Sequence, residues 1–138
     1  MCGSDRPRTI GPMSSAPPKT LLIVDDSRVS RMMIRTLVAA RKPHWTLQEC
    51  ETGDEALARL AQGVPDYVSM DINMPGTIGT DVAERILQAY PQVRMVVFSA
   101  NVQAAHQARA AAMGACFVPK PVSDRSVQLA LNFFDGAA

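Results

Sequence analysis

The stretch YVSMDINMPG, residues 67–76, is a nearly apolar run that ends in the carboxylate of Asp71 and is soon followed by a Pro-Gly pair. A short apolar run bounded by a turn signal predicts a buried β-strand. Because an unpaired charge is costly to bury, Asp71 must either lie at an exposed carboxyl end of this strand or face a cation. The other motifs of the chain indicate what it faces.

Four further apolar runs alternate with helical patterns along the chain: TLLIVD, WTLQEC, VRMVVFS and ACFVPK. Alternation of this kind predicts β-α units built around a parallel sheet. Together with the run that ends at Asp71, these segments predict an α/β fold of five strands and five helices.

The segments between the runs have helical periodicity. In the first, SRVSRMMIRTLVAA, one face carries the apolar residues Val29, Met33, Leu37 and Ala40. Thr52 and Glu55 have the spacing of a capping box and predict the start of the second helix. Gly114 is the predicted C-cap of the fourth helix. The apolar stripes of the third and fifth helices are Val82, Ile86, Leu87 and Tyr90, and Val127, Ala130, Leu131 and Phe134.

Length and composition exclude several classes of protein. A chain of 138 residues fits one domain of ordinary size. A net charge of +1 provides no bulk positive field for nucleic acid or an acidic membrane. Residues 1–18 are rich in Pro, Gly and Ser, which predicts a disordered tail ahead of a single domain at residues 19–138.

The three cysteines are widely spaced and form no CxxC pair, so they do not indicate a zinc site. A reducing cytoplasm is the simplest setting for them. The chain has no apolar run of membrane-spanning length, and its N-terminus lacks the apolar region of a secretion signal. We therefore expect a soluble, cytoplasmic protein.

Polar residues follow the predicted strands at the edge where open α/β sheets bind their ligands. They are Asp25, Asp26, Asp71, Ser99 and Lys120. Taken singly, each has an ordinary explanation: an acid pair or a serine caps a helix, a strand-end aspartate forms a turn, and a lysine is solvated.

Taken together, these residues indicate chemistry. Three carboxylates at one rim repel each other at neutral pH unless a cation joins them. Mg²⁺ suits such a site because it binds through one or two carboxylates, water and phosphate oxygens. With a metal ion and the Lys120 ammonium beside it, Asp71 becomes a candidate nucleophile toward a phosphoryl group.

The ordered motifs VDDS at residues 24–27, MDINMP at 70–75, FSA at 98–100 and KP at 120–121 resemble those of the receiver domain of two-component response regulators. The stand-alone, CheY-like members are the most similar in length. The resemblance covers residues 20–134 and implies a doubly wound, flavodoxin-like parallel sheet with strand order 2-1-3-4-5.

The resemblance also implies roles for the rim residues. Asp71 is the expected phosphoacceptor. The expected Mg²⁺ ligands are Asp26, Asp71 and the backbone carbonyl of Asn73, with Asp25 acting through water. Ser99 is expected to bond a phosphoryl oxygen and Lys120 to pair with the phosphate, and the bond from Lys120 to Pro121 is expected to be cis.

The resemblance to receiver domains also implies how the phosphorylation signal reaches a partner protein. Ser99 and the aromatic residue Phe117 are the expected switch residues, although Phe117 is equally explained as an ordinary core aromatic. The expected surface for a downstream protein target consists of the fourth helix, the fifth strand and the fifth helix.

The expected phosphodonor is a histidine kinase or a histidine phosphotransfer protein. Arg28, Arg31 and Arg35 form a predicted basic side of the first helix for docking it, and a merely solvated helix face is the alternative. We expect a monomer or a weak phosphorylation-dependent dimer with no affinity for nucleic acid or membrane.

Catalysis is expected only for the protein's own phosphoryl transfer and autodephosphorylation. Two other classes remain as alternatives: a receiver-like interaction module that is not phosphorylated, and an aspartyl-phosphate phosphatase. The second is disfavoured because such phosphatases carry a DxD motif at the first strand, whereas Asp25 and Asp26 are adjacent here.

Overall fold

The structure is a computed structural model that describes residues 18–74, 77–100 and 103–136. Apart from Pro18, the predicted tail of residues 1–18 lies outside the described residues. The strands are β1 Thr20–Val24, β2 Thr46–Cys50, β3 Tyr67–Asp71, β4 Asn73–Met74, β5 Thr77–Ile78, β6 Arg94–Ser99 and β7 Cys116–Pro119. The helices are α1 Arg28–Arg41, α2 Gly53–Gln62, α3 Gly79–Ala89, α4 Ala104–Ala112 and α5 Asp124–Phe134.

Five strands form a parallel sheet in the order β2-β1-β3-β6-β7. Since β4 and β5 pair only with each other as a short antiparallel hairpin, this is the predicted order 2-1-3-4-5. The predicted α/β fold class is therefore confirmed. The order makes β1 and β3 direct neighbours, which brings the chain after β1 and the end of β3 to one place.

The sheet is buried on both faces, and this explains why its strands are continuous apolar runs. Helices α1 and α5 cover one face, where the rings of Trp45, Tyr67 and Phe134 pack against each other. Helices α2, α3 and α4 cover the other face around a core that includes Val68, Met70 and Ile86. Two cores thus hold the central strands in a fixed register.

The predicted helix boundaries agree with the capping contacts. Thr52 accepts a hydrogen bond from the Glu55 amide, while the Glu55 carboxylate accepts one from the amide of Glu51. Gly114 follows α4 with φ +86°, a backbone conformation that glycine adopts without strain. The predicted stripe of α5 is buried, from Val127 to Phe134.

The apolar face that the sequence predicts for α1 is not the face that packs against the sheet. The buried residues of this helix are Arg31, Ile34 and Val38. The predicted face points outward instead, with Val29 62% and Met33 42% exposed. Together with the exposed Met32 and the half-buried Leu37, these residues form what we call the α1 apolar surface.

Cys50 lies on β2 and Cys116 on β7, which are the two opposite edges of the sheet. Both thiols are free. In the part of the chain that the structure describes, no helix is both long enough and apolar enough to cross a membrane.

Candidate functional site

Asp71 is the last residue of β3, and its side chain is almost completely buried, with 6% exposed. It pairs in register with Phe98 of β6, and the next amide, that of Ile72, donates to the Phe98 carbonyl at 3.3 Å. The carboxylate therefore projects from a backbone that pairs with β6 at Asp71 itself and with β1 at the preceding residue, Met70.

The start of α3 packs directly against this strand end. The Gly79 amide donates to the Ile72 carbonyl at 2.7 Å. A Cβ atom on Gly79 would lie 1.9 Å from the carbonyl oxygen of Asp71, which is far inside any allowed contact. Only glycine fits at this position, and it fixes where the segment after Asp71 returns to the sheet.

Asp25 follows β1 and is held at each of its polar groups. Its amide donates to the Cys50 carbonyl at 3.1 Å. One carboxylate oxygen accepts from the Ser27 amide at 2.8 Å, and the other accepts from Lys120 Nζ at 3.1 Å. Its carbonyl accepts from the Arg31 guanidinium at 2.6 Å. Asp26, the next residue, is exposed.

Lys120 reaches both buried acids from the segment after β7. Its Nζ lies 3.1 Å from Asp25 Oδ2 and 3.4 Å from Asp71 Oδ1. Its amide donates to the carbonyl of Ser99, which ties this segment to the end of β6. The bond between Lys120 and Pro121 is cis, the isomer that the resemblance implies.

The electrostatics of the three acids follow from burial and from their proximity. One carboxylate oxygen from each of Asp25, Asp26 and Asp71 lies within 4.8 Å of the others. Burial, and next the charge of Asp25, raise the pKa of Asp71 from 3.8 to about 6, although Lys120 opposes this shift. Burial acts to lower the pKa of Lys120, but the charges of Asp71 and Asp25 outweigh it, so that this pKa is raised.

The acid cluster fits a hard divalent cation. Three carboxylates lie close together and the Lys120 ammonium pairs with two of them, so the cluster keeps an excess of negative charge. All three offer oxygen atoms, which Mg²⁺ prefers to nitrogen or sulfur. Asp26 is open to solvent and gives an ion a path of entry.

The predicted ligand Asn73 begins β4 and pairs with Ile78 of β5. It is two residues beyond Asp71 in the sequence. The contact of its carbonyl with a metal ion stays a prediction.

The predicted switch residues lie on neighbouring strands. Ser99, the last residue of β6, is completely buried and pairs in register with Pro119 of β7. Phe117 lies on β7 opposite Val97, is half-buried, and packs against the core on the α2, α3 and α4 side. A half-buried ring agrees both with a switch and with an ordinary core residue.

The structure corrects the predicted basic side of α1. Arg28 and Arg35 are exposed, but Arg31 is only 8% exposed. Its guanidinium points inward because two acceptors lie there, the carbonyl of Asp25 and the carboxylate of Glu49. Arg31 is therefore not available as a docking residue.

Two residues of this region were not predicted. Glu49, on β2, accepts from Arg31 at 3.0 Å and from Arg35 at 3.1 Å. Ser30 lies 3.5 Å from Lys120 Nζ. No sequence motif marks either residue, because each acts through a partner distant in sequence.

The sequence of the chain matches one known protein family. Residues 21–132 match the family model of the response regulator receiver domain. The chain belongs to this family. The chemotaxis protein CheY of Thermotoga maritima is 35% identical over 115 residues, a match that covers 83% of this chain and 95% of the relative.

Further relatives and solved structures are also similar to this chain. CheY of Bacillus subtilis is 34% identical over 81% of this chain and 93% of its own length. A CheY-like response regulator receiver domain protein from Methanospirillum hungatei JF-1 has the same fold, with a TM-score of 0.78 at 20% identity over 88% of this chain and 97% of that chain. Several longer relatives are also similar, and the match spans only 24% to 45% of their length.

Proposed function

We propose that this receiver domain accepts a phosphoryl group from a phosphohistidine donor onto Asp71 with the help of Mg²⁺, and that it signals through phosphorylation-dependent protein contacts or a phosphorelay. The observation that carries the proposal is the buried Asp71 carboxylate, which faces the Lys120 ammonium and lies within 4.8 Å of two further acids. One strand end thus brings together a carboxylate that can attack a phosphoryl group and an ammonium that can pair with its oxygen atoms.

In the proposed reaction, a carboxylate oxygen of Asp71 attacks the phosphorus of the donor. The new O–P bond forms as the N–P bond breaks, and the bonding electrons of the latter remain on the imidazole nitrogen. The product is an acyl phosphate on Asp71. Lys120 is placed to pair with phosphoryl oxygens, because its Nζ already lies 3.4 Å from the attacking carboxylate.

Asp26, Asp71 and the Asn73 carbonyl would hold the metal ion, with Asp25 acting through water. When bound, Mg²⁺ offsets the charge of the acids and of the phosphoryl oxygens. Asp71 must be ionised to attack. The pKa of its carboxyl is about 6 without a metal ion, and a nearby cation favours the ionised form.

The phosphoryl group carries roughly one and a half to two negative charges, which replace the single charge of the ionised Asp71 carboxylate. We propose that Ser99 and Phe117 respond to this charge and alter the surface of α4, β7 and α5 for a downstream protein. A second route to α4 starts at Gly79, which packs on Asp71. The next residue, Thr80, is buried and accepts a hydrogen bond from Arg109 of α4 at 3.0 Å.

The proposed donor is a histidine kinase or a histidine phosphotransfer protein that docks on α1. The α1 apolar surface is exposed, lies on the helix that follows Asp25 and Asp26, and is flanked by the exposed Arg28 and Arg35. Large exposed apolar patches bordered by charge are typical of protein contacts. We propose that the protein acts in the cytoplasm as a monomer or a weak phosphorylation-dependent dimer.

Intact-protein mass spectrometry tests the proposal. The protein is incubated with phosphoramidate, with Mg²⁺ or with EDTA, beside Asp71→Asn as the matched variant. We expect one phosphoryl adduct that requires Mg²⁺ and is lost in Asp71→Asn. A folded wild type that forms no adduct would support an unphosphorylated interaction module instead.

A further inference from the structure

We propose that Arg31 is a positioning residue, which fixes the chain after β1 so that Asp25 and Asp26 are held in place to bind Mg²⁺. This inference rests on the proposed function, because it concerns the metal site of that function. It assigns to Arg31 a role inside the protein in place of the docking role predicted from the sequence.

The first observation is the contact with Asp25. Arg31 is buried, and its guanidinium donates to the Asp25 carbonyl at 2.6 Å. This carbonyl lies one residue beyond the last register pair of β1, between Val24 and Cys50. A charged donor makes a stronger hydrogen bond than a neutral one.

The second observation is that this carbonyl belongs to the peptide unit between the two acids. The peptide bond is planar, so the Asp25 oxygen and the Asp26 nitrogen move together. Holding that oxygen therefore restrains the direction in which Asp26 leaves the sheet. Asp26 is exposed, so its carboxylate depends strongly on the restraint of its backbone.

The third observation is that Arg31 is itself oriented. Its Nε donates to Glu49 Oε1 at 3.0 Å, and Glu49 pairs in register with Ile23 of β1. A planar guanidinium that is bonded through two different nitrogen atoms has little freedom to rotate. The carboxylate also offsets the charge of the buried guanidinium, whose burial would otherwise be costly.

Calorimetric titration with Mg²⁺ tests this role, since metal affinity is a quantity that a merely structural residue would not change in a folded protein. The variant is Arg31→Gln. The matched control is Arg41→Gln, because Arg41 lies on the same helix and also donates to a backbone carbonyl, that of Leu37, and to a carboxylate, that of Asp124. Urea unfolding of each metal-free variant checks that it is folded.

We expect Arg31→Gln to weaken Mg²⁺ binding about tenfold, which is typical when a residue that supports metal ligands is removed. Arg41→Gln should bind as the wild type does. If Arg31→Gln does not fold, Glu49→Gln decides, because it keeps Arg31 but removes the charge that orients it, and we expect it to weaken binding by a few-fold.

Equal Mg²⁺ affinity for the wild type and for the folded Arg31→Gln variant, or for Glu49→Gln where the first does not fold, would overturn the inference while leaving the proposed function intact. Failure of the wild type to bind Mg²⁺ would instead overturn the proposed function, and this inference with it.

Discussion

Lys120 Nζ lies 3.4 Å from Asp71 Oδ1, so the proposed phosphoacceptor is ion-paired within the domain itself. The same ammonium lies 3.1 Å from Asp25, and its side chain is only 17% exposed. The half-buried Lys120 ammonium thus offsets part of the repulsion between two acids that neighbouring strands bring together.

Replacing Lys120 by Gln should destabilise the metal-free protein. The change leaves Asp25 and Asp71 buried without their cation, and breaking a buried ion pair costs about 3 kcal/mol or more. Urea unfolding in EDTA at pH 8 measures the effect. The control is Lys42→Gln, because Lys42 pairs with Asp135 at 2.8 Å nearer the surface and should contribute about 1 kcal/mol or less. Equal losses in the two variants would contradict the buried pairing.

Asp71→Asn should stabilise the metal-free protein at pH 8 but not at pH 3.5. Asp71 has a higher pKa in the folded protein, about 6, than its usual 3.8, so the folded state favours the protonated form. The stability that this provides is complete below pH 3.8 and is lost as the pH rises through about 6.

Each unit of pKa shift corresponds to about 1.4 kcal/mol, so the stability difference between Asp71→Asn and the wild type should reach about 2 to 3 kcal/mol above pH 6. Urea unfolding of both proteins in EDTA across this pH range measures the difference. A difference that does not vary with pH would show that Asp71 titrates normally. A wild type that is the more stable at pH 8 would show that Lys120 outweighs burial.

Ser69 offers a prediction about the core. Its side chain lies in the middle of β3, 2% exposed, and among the described residues its hydroxyl oxygen is buried with no hydrogen-bond partner. Ser69→Ala removes that unsatisfied group and should stabilise the protein by about 1 kcal/mol.

Ser126→Ala is the matched control for Ser69. The Ser126 hydroxyl is also buried, but it accepts from the Ser123 amide at 2.8 Å in the capping box of α5. Its removal should therefore destabilise the protein by about 1 kcal/mol. Thermal unfolding of both variants measures the two changes in melting temperature. Changes of the same sign would contradict the claim that the Ser69 hydroxyl lacks a hydrogen-bond partner.

The α1 apolar surface predicts a variant that separates docking from chemistry. Met32 is 55% exposed, so Met32→Glu should leave folding unchanged. A carboxylate in an apolar contact loses its hydration without gaining a partner, which should slow phosphotransfer from a phosphohistidine protein by about tenfold or more. The rate with phosphoramidate should stay the same.

Leu129→Glu is the control for this surface, since Leu129 is 45% exposed on α5, outside the α1 apolar surface. It should have no effect on transfer from the phosphohistidine protein. If Met32→Glu slowed phosphotransfer from both donors, the damage would lie in the phosphorylation site and not in a docking surface.

Much of the fold could be predicted because its signals are local. The five apolar runs and the helical patterns between them are continuous in sequence, and the capping pair of Thr52 and Glu55 acts within one helical turn. The strand order came from the resemblance. The β4–β5 hairpin was missed, because strands of two residues carry no periodic signal.

The exposed face of α1 could not be predicted from periodicity. The helix has two apolar stripes, and the pattern does not tell which of them contacts the sheet. The direction of Arg31 escaped prediction for a related reason. Its spacing from Arg28 and Arg35 indicates one side of the helix, but the acceptors that draw it inward, Asp25 and Glu49, are set by the tertiary fold.

The most direct test of the central claim is to locate the phosphoryl group. After incubation with phosphoramidate and Mg²⁺, borohydride reduces an acyl phosphate to an alcohol, which converts a phosphorylated aspartate to homoserine, and peptide mapping by mass spectrometry finds its position. We expect homoserine at residue 71 and at neither residue 25 nor residue 26, and none when Mg²⁺ is replaced by EDTA. Homoserine at residue 25 or 26, or unmodified Asp71 in protein shown to be folded and bound to Mg²⁺, would contradict it.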